Sequence, residues 1–184
     1  MQAKTTRDSR RNPVRLALFA AALALGAPAM ADDDDDNRRA PMSPAYVEEC
    51  GACHVAFPPE LLSRRSWNAV VDGLAEHFGT DASLDAQALA TVRDYLDAYA
   101  GRRSTDGANG KPLLRITDTR WFQREHRAGE HGLRADTFKR AEVGSAANCG
   151  ACHRGAADGS YAEREIRVPA PGVRANITAQ GRTQ

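Results

Sequence analysis

Aromatic residues make up only 6% of this 184-residue chain. That leaves little bulky material for a large all-protein core. Cysteine occurs four times, too rarely for a scaffold stapled by many disulfides. Methionine occurs three times, at Met1, Met30 and Met42. Neither sign of charge dominates: 25 Lys and Arg stand against 24 Asp and Glu, for a formal net charge of +1. This balance lacks the strong basic excess of a nucleic-acid binder. The one long apolar run, Leu16 to Ala27, is about a dozen residues, too short to cross a bilayer as a helix. No stretch of any length alternates apolar and polar residues as a half-buried strand would.

What is present is concentrated in two places. Cys50-Gly51-Ala52-Cys53-His54 and Cys149-Gly150-Ala151-Cys152-His153 are identical and use every cysteine of the chain. C-x-x-C-H is the attachment signature of c-type haem. Each sulfur forms a thioether to one haem vinyl group, and the following histidine supplies the proximal iron ligand. A four-cysteine zinc site also uses two C-x-x-C pairs, but does not call for a histidine after each. The long stretch from Cys53 to Cys149 also suits such a site poorly. Two disulfides are the other alternative. The repeated histidine favours two covalent haem c groups, bound through Cys50, Cys53, Cys149 and Cys152, with His54 and His153 as proximal ligands.

Residues 1–31 read as a secretory signal. Lys4, Arg7, Arg10, Arg11 and Arg15 precede the apolar run, and Ala29-Met30-Ala31 is a small-x-small cleavage site. Left uncleaved, the segment would be an anchor. Haem attachment needs reduced thiols on an unfolded, exported chain, so the general secretory route fits better than the twin-arginine route that Arg10-Arg11 suggests. The expected compartment is a periplasm. Cleavage removes five basic residues and Asp8, leaving a mildly acidic protein with no membrane span. About 75 residues per haem is little for an unaided core, so the haems themselves are expected to act as core material.

The expected class is mainly α, with two small cytochrome c-like haem domains, each built around its own haem. Residues 32–41 form an acidic start that includes Asp32 to Asp36, a solvated end or an arm for a basic partner. The first haem domain is 42–104, the second 105–169, and 170–184 is a tail poor in apolar residues. Ser43-Pro44 predicts a helix start before the first pentapeptide. Ser66 predicts a second cap, followed by a helix carrying Trp67, Val70, Val71, Leu74 and Phe78, with His77 on the same stripe and Gly79 closing it. Ser83 predicts a third start, with Leu84, Ala88, Val92, Tyr95, Leu96 and Tyr99 on one face up to Gly101. Arg102 to Gly110 reads as a polar linker. Thr117 or Thr119 predicts the cap of a short helix with Trp121, Phe122, Glu125 and His126, the phenylalanine and histidine sharing a face. Ser145 predicts a last helix leading into the second pentapeptide.

The second axial ligand of each iron decides the chemistry. Methionine raises the potential of electron-carrying cytochromes c. Only Met42 lies outside the leader, so methionine cannot serve both irons of one chain. Of five histidines, His77, His126 and His131 are left for two distal positions. His77 and His126 lie on apolar faces, and His131 lies in a Gly129–Gly132 loop. Bis-histidine ligation predicts low-spin, six-coordinate irons that exchange electrons without binding substrate.

Several segments together resemble the periplasmic dihaem cytochrome c family. They are Pro58-Pro59-x-Leu61-Leu62 with Ser66-Trp67, Leu74-x-x-His77-Phe78-Gly79 with Asp81-Ala82, and Ile116 to His126 with its Trp121-Phe122-x-Arg124-Glu125-His126 core. Asn148 to His153, Ala157-x-Gly159-x-Tyr161 and Ile166-x-Val168-Pro169 complete the set. The resemblance spans roughly 41–169. It implies two mostly helical haem domains with bis-histidine iron, and His77 and His126 as the distal ligands. It also implies electron transfer between a membrane cytochrome b and a small soluble haem protein. Within this class, the chain could instead be the small dihaem subunit of a periplasmic reductase, which would co-purify with a large catalytic subunit. A dihaem peroxidase needs an open iron and an acid–base group, for which Glu125 is the nearest carboxylate in the sequence. A gas sensor needs a displaceable ligand.

Overall fold

Proline at the first helical position starts α1, Pro44–Cys50, in a computed structural model that describes residues 40–172. The leader 1–31, residues 32–39 of the acidic start and residues 173–184 of the tail lie outside the described residues. Ser43 occupies the cap position with extended backbone, but its hydroxyl makes no cap bond. The preset φ of Pro44 therefore starts the helix. α1 buries Tyr46, whose hydroxyl donates to the Phe57 carbonyl at 2.8 Å. Gly51 follows α1 so closely that a Cβ there would run into the Val47 carbonyl oxygen.

α2 spans Arg64–Asp72 and is capped by Ser63, which accepts from the Ser66 amide. The expected cap, Ser66, sits inside the helix. It is fully buried, and its hydroxyl lies 2.8 Å from that of Thr105. Trp67 and Val71 face the core as expected, and the Trp67 indole donates to the Pro59 carbonyl at 2.7 Å. The helix stops earlier than the apolar stripe suggested. Gly73, a poor helix former, is followed by a single 3₁₀ turn at Leu74–Glu76. The chain then folds back, so that the Leu74 carbonyl accepts from Ala82 at 2.9 Å. His77 and Phe78 are therefore on this turn and not on α2. Phe78 takes a left-handed backbone with φ 49° and is 47% exposed.

α3, Ala86–Tyr99, is capped by Asp85 in place of the expected Ser83. The Asp85 carboxylate accepts from both Gln87 and Ala88 amides, satisfying two of the orphan donors of the first turn. Val92, Tyr95 and Leu96 are buried, whereas Tyr99 from the same face is exposed. α1 and α2 both pack on α3, and their core joins Tyr46, Leu62, Trp67, Val71, Val92 and Leu96. Gly101 ends this unit where a Cβ would collide with the Glu60 carbonyl oxygen and press on that of Leu62. The stretch expected as a linker is bonded back onto α2. The Ser63 amide donates to Thr105 Oγ1 at 3.0 Å, and Arg65 pairs with Asp106 at 2.8 Å.

The rest of the described chain is held by short pieces. Thr119 caps α4, Arg120–Glu125, accepting from the Phe122 amide at 3.1 Å. Phe122, Leu133, Val143, Ala156 and Ala162 are its buried apolar residues. The helix expected after Ser145 does not form. Gly144 has a positive φ, the Ser145 hydroxyl accepts from Ala147, and the Asn148 side chain donates to Val143. These local bonds compete with helix bonds, and only a 3₁₀ turn, Cys149–Ala151, remains. Among the described residues there is no strand, only isolated bridges such as His153 with Ile166. The fold is mainly α.

Candidate haem sites

The first pentapeptide begins at Cys50, the last residue of α1, and the second opens in the 3₁₀ turn Cys149–Ala151. All four cysteines are unbonded thiols, so the disulfide alternative finds no support. No group of three or more His, Cys, Asp or Glu among the described residues could hold a metal ion, which leaves no place for a four-cysteine zinc site. Gly150 of the second pentapeptide lies close enough to Val55, the residue after the first, that a Cβ would touch its methyl at 3.9 Å. Burial pushes the Cys50 thiol up to about 11, helped by the nearby Glu49 carboxylate. Burial likewise pushes the Cys149 thiol up to about 11 and raises that of Cys152.

The histidines meet in pairs. His54 lies near His77, with ring centroids 6.3 Å apart and planes at 27°. His153 lies near His126, with centroids 6.1 Å apart and planes at 61°. Each pair therefore joins a pentapeptide histidine to one of the two distal candidates. His131 is exposed on the Glu130–Gly132 turn with φ 46°, and no ring contact brings it to a second histidine among the described residues. Met42 lies against the core, with its sulfur 4.0 Å from the Tyr95 hydroxyl.

A simple length test asks whether one iron fits between each pair. Two metal–nitrogen bonds of about 2 Å, plus about 1 Å from each nitrogen to its own ring centre, give roughly 6 Å. Both observed separations match. The tautomers fit as well. His54 Nδ1 lies 2.8 Å from the Val55 carbonyl oxygen, and His126 Nδ1 lies 3.1 Å from that of Phe122. A carbonyl only accepts, so in each case Nδ1 carries the proton and Nε2 keeps its lone pair, as an oriented metal ligand requires. Burial holds His77 below the ordinary histidine value, with smaller contributions from His54 and Arg115. Burial also lowers His126. Both favour the neutral, ligating form. Arg140 offers a further mark of fit. Its Nε is buried without a hydrogen-bond acceptor, while its Nη2 donates to the Pro169 carbonyl at 2.8 Å. A haem brings two carboxylates that could meet such a donor.

Packing fixes the rings. Phe57 stacks on His54 at 4.7 Å, and Phe122 stacks on His126 at 4.0 Å and 10°. The Phe122–His126 contact realises the shared face read from their spacing. Tyr161 lies 5.1 Å from His153, and Phe138 lies 6.2 Å from His126. The sequence reading gave none of Phe57, Phe138 or Tyr161 a part at the sites. Phe57, so soon after His54, was the one within sequence reach, whereas Phe138 and Tyr161 arrive through tertiary folding.

A family model described as dihaem cytochrome c matches residues 46–161. Solved structures agree. A dihaem cytochrome c from Shewanella baltica OS155 is 31% identical, with a TM-score of 0.57, over 72% of this chain and 97% of that one. One from Rhodobacter sphaeroides is 35% identical, with a TM-score of 0.58, over 67% and 99%. A second Rhodobacter sphaeroides crystal structure is 38% identical, with a TM-score of 0.52, over 65% and 97%. No curated protein sequence matches. The chain belongs to the dihaem cytochrome c family and carries two haem c groups.

Proposed function

We propose that the protein is a periplasmic electron carrier with two bis-histidine, low-spin haems. Cys50 and Cys53 hold one haem by thioethers, and Cys149 and Cys152 hold the other. His54 and His77 ligate the first iron, and His153 and His126 the second. The observation that carries this reading is the closeness of the two imidazoles in each pair, with ring centroids 6.3 and 6.1 Å apart. When bound, the haems supply one-electron chemistry. The chain's part is to orient the imidazoles, through Phe57 and Phe122, and to keep both axial positions filled.

Filled axial positions favour a carrier over an enzyme. Glu125, the carboxylate that a peroxidase reading would use, is exposed and pairs with Arg124 at 2.9 Å. Export rests on the signal-like residues 1–31. No described helix is long and apolar enough to cross a membrane. By family resemblance, the donor is a membrane cytochrome b and the acceptor a small soluble haem protein.

The test is a pair of single variants. His77→Ala and His126→Ala should each convert one haem to high spin and leave the other low-spin in visible and EPR spectra. An unchanged spectrum for either variant would retire that ligand.

A further inference from the structure

Arg115 reaches the first site from the far side of the expected linker. Its guanidinium carbon lies 3.8 Å from the centroid of the Phe78 ring. Phe78 in turn meets His77 edge-on at 4.8 Å. The left-handed backbone of Phe78, unusual for an aromatic residue, sets the ring where it touches both. Arg115 is exposed and immediately precedes the 3₁₀ turn Ile116–Asp118 that leads into Thr119 and α4. The backbone that carries His126 to the second site thus also places a cation beside His77. The ion pairs found among the described residues engage other arginines and not Arg115. Its charge is therefore not cancelled by a neighbouring carboxylate there.

We infer that Arg115, held by Phe78 beside His77, raises the potential of the first haem through its charge. The inference rests on His77 being a ligand of that haem. Reduction adds one electron and lowers the charge of the site by one. A fixed positive charge nearby therefore favours the reduced form. No proton need move. Stacking on Phe78 holds the guanidinium in place, as a planar cation over a ring.

The experiment is a redox titration of the full holoprotein with mediators and dithionite, followed by visible absorbance. Wild type is compared with Arg115→Gln, Arg115→Lys and His77→Ala. In the His77→Ala titration the wild-type midpoint that persists belongs to the second haem, which identifies the other as the first haem's. Arg115→Gln should lower that midpoint alone by about threefold to tenfold in the one-electron equilibrium constant, about 28 to 59 mV at 59 mV per decade. Arg115→Lys keeps the charge but not the planar stacking on Phe78, so its midpoint should fall between those of wild type and Arg115→Gln. Both haems should remain low-spin in Arg115→Gln, which separates lost charge from lost ligation. Two unmoved midpoints, two that move equally, or a high-spin signal in Arg115→Gln would overturn the inference. If His77→Ala leaves both haems low-spin, the ligand reading fails, and with it the placing of Arg115 at that haem. If His77→Ala perturbs one haem and Arg115→Gln shifts nothing, only the Arg115 inference fails.

Discussion

Removing one oxygen atom should loosen the first haem site without touching a ligand. Tyr46 is 2% exposed, and burial raises its pKa, so the phenol stays protonated and acts as a donor. Its hydroxyl donates to the Phe57 carbonyl at 2.8 Å, and the Phe57 ring stacks on His54. Tyr46→Phe keeps the ring packed near Tyr95 but leaves that carbonyl without its tyrosine donor. A lost hydrogen bond to a part-buried carbonyl costs about 1–2 kcal/mol. For a chain of this size that corresponds to a Tm lower by about 2–8 °C. Tyr46→Ala adds a cavity and should cost about 3–5 kcal/mol. The assay is thermal and denaturant unfolding of the holoprotein, followed by haem absorbance and tryptophan fluorescence, with the visible spectrum as a control for ligation. Tyr46→Phe should keep both haems low-spin. An unchanged Tm for Tyr46→Phe, with Tyr46→Ala strongly destabilised, would show that the ring matters and the hydroxyl bond does not. That result would refute a hydrogen-bonded linkage from α1 to His54.

Two further outcomes follow from the same geometry. Gly101→Ala should destabilise the fold by about 1–3 kcal/mol, because its Cβ meets backbone oxygens of Glu60 and Leu62 that cannot swing away; chemical denaturation should show a lower midpoint with little change in slope. Acid should also destabilise the protein. His77 and His126 are held below their ordinary value of 6.5, so below that pH the unfolded chain binds more protons than the folded one. The part of the stability that rests on these two neutral histidines is therefore full above about 6.5 and is lost as the pH drops through their folded values, which unfolding midpoints measured between neutral and acid pH should reveal.

The features most legible in the sequence were those in which local chemistry and tertiary structure agree. Thr119 caps α4 because its hydroxyl meets the Phe122 amide three residues on, and Phe122 then stacks on His126 one turn later. Pro44 starts α1 by its own preset φ. The less legible features depend on partners distant in sequence. Ser66 has the composition of a cap, but Thr105, far along the chain, engages its hydroxyl and Ser63 caps instead. The apolar stripe through Trp67 and Leu74 does not reveal that the chain folds back so that Ala82 bonds Leu74. His77 therefore reached the site by a turn and not by the helix its spacing suggested. The pairing of His77 with His54, and of His126 with His153, was open in the sequence because the two halves place these histidines on opposite sides of their pentapeptides.

The most direct measurement is the visible and low-temperature EPR spectrum of the oxidised holoprotein. Close histidine pairs predict two low-spin ferric signals, no high-spin component and no methionine–iron absorption band. The imidazole planes at 27° in one pair and 61° in the other predict that the two signals differ. A substantial high-spin component would contradict bis-histidine ligation and would mean that one iron keeps an open position.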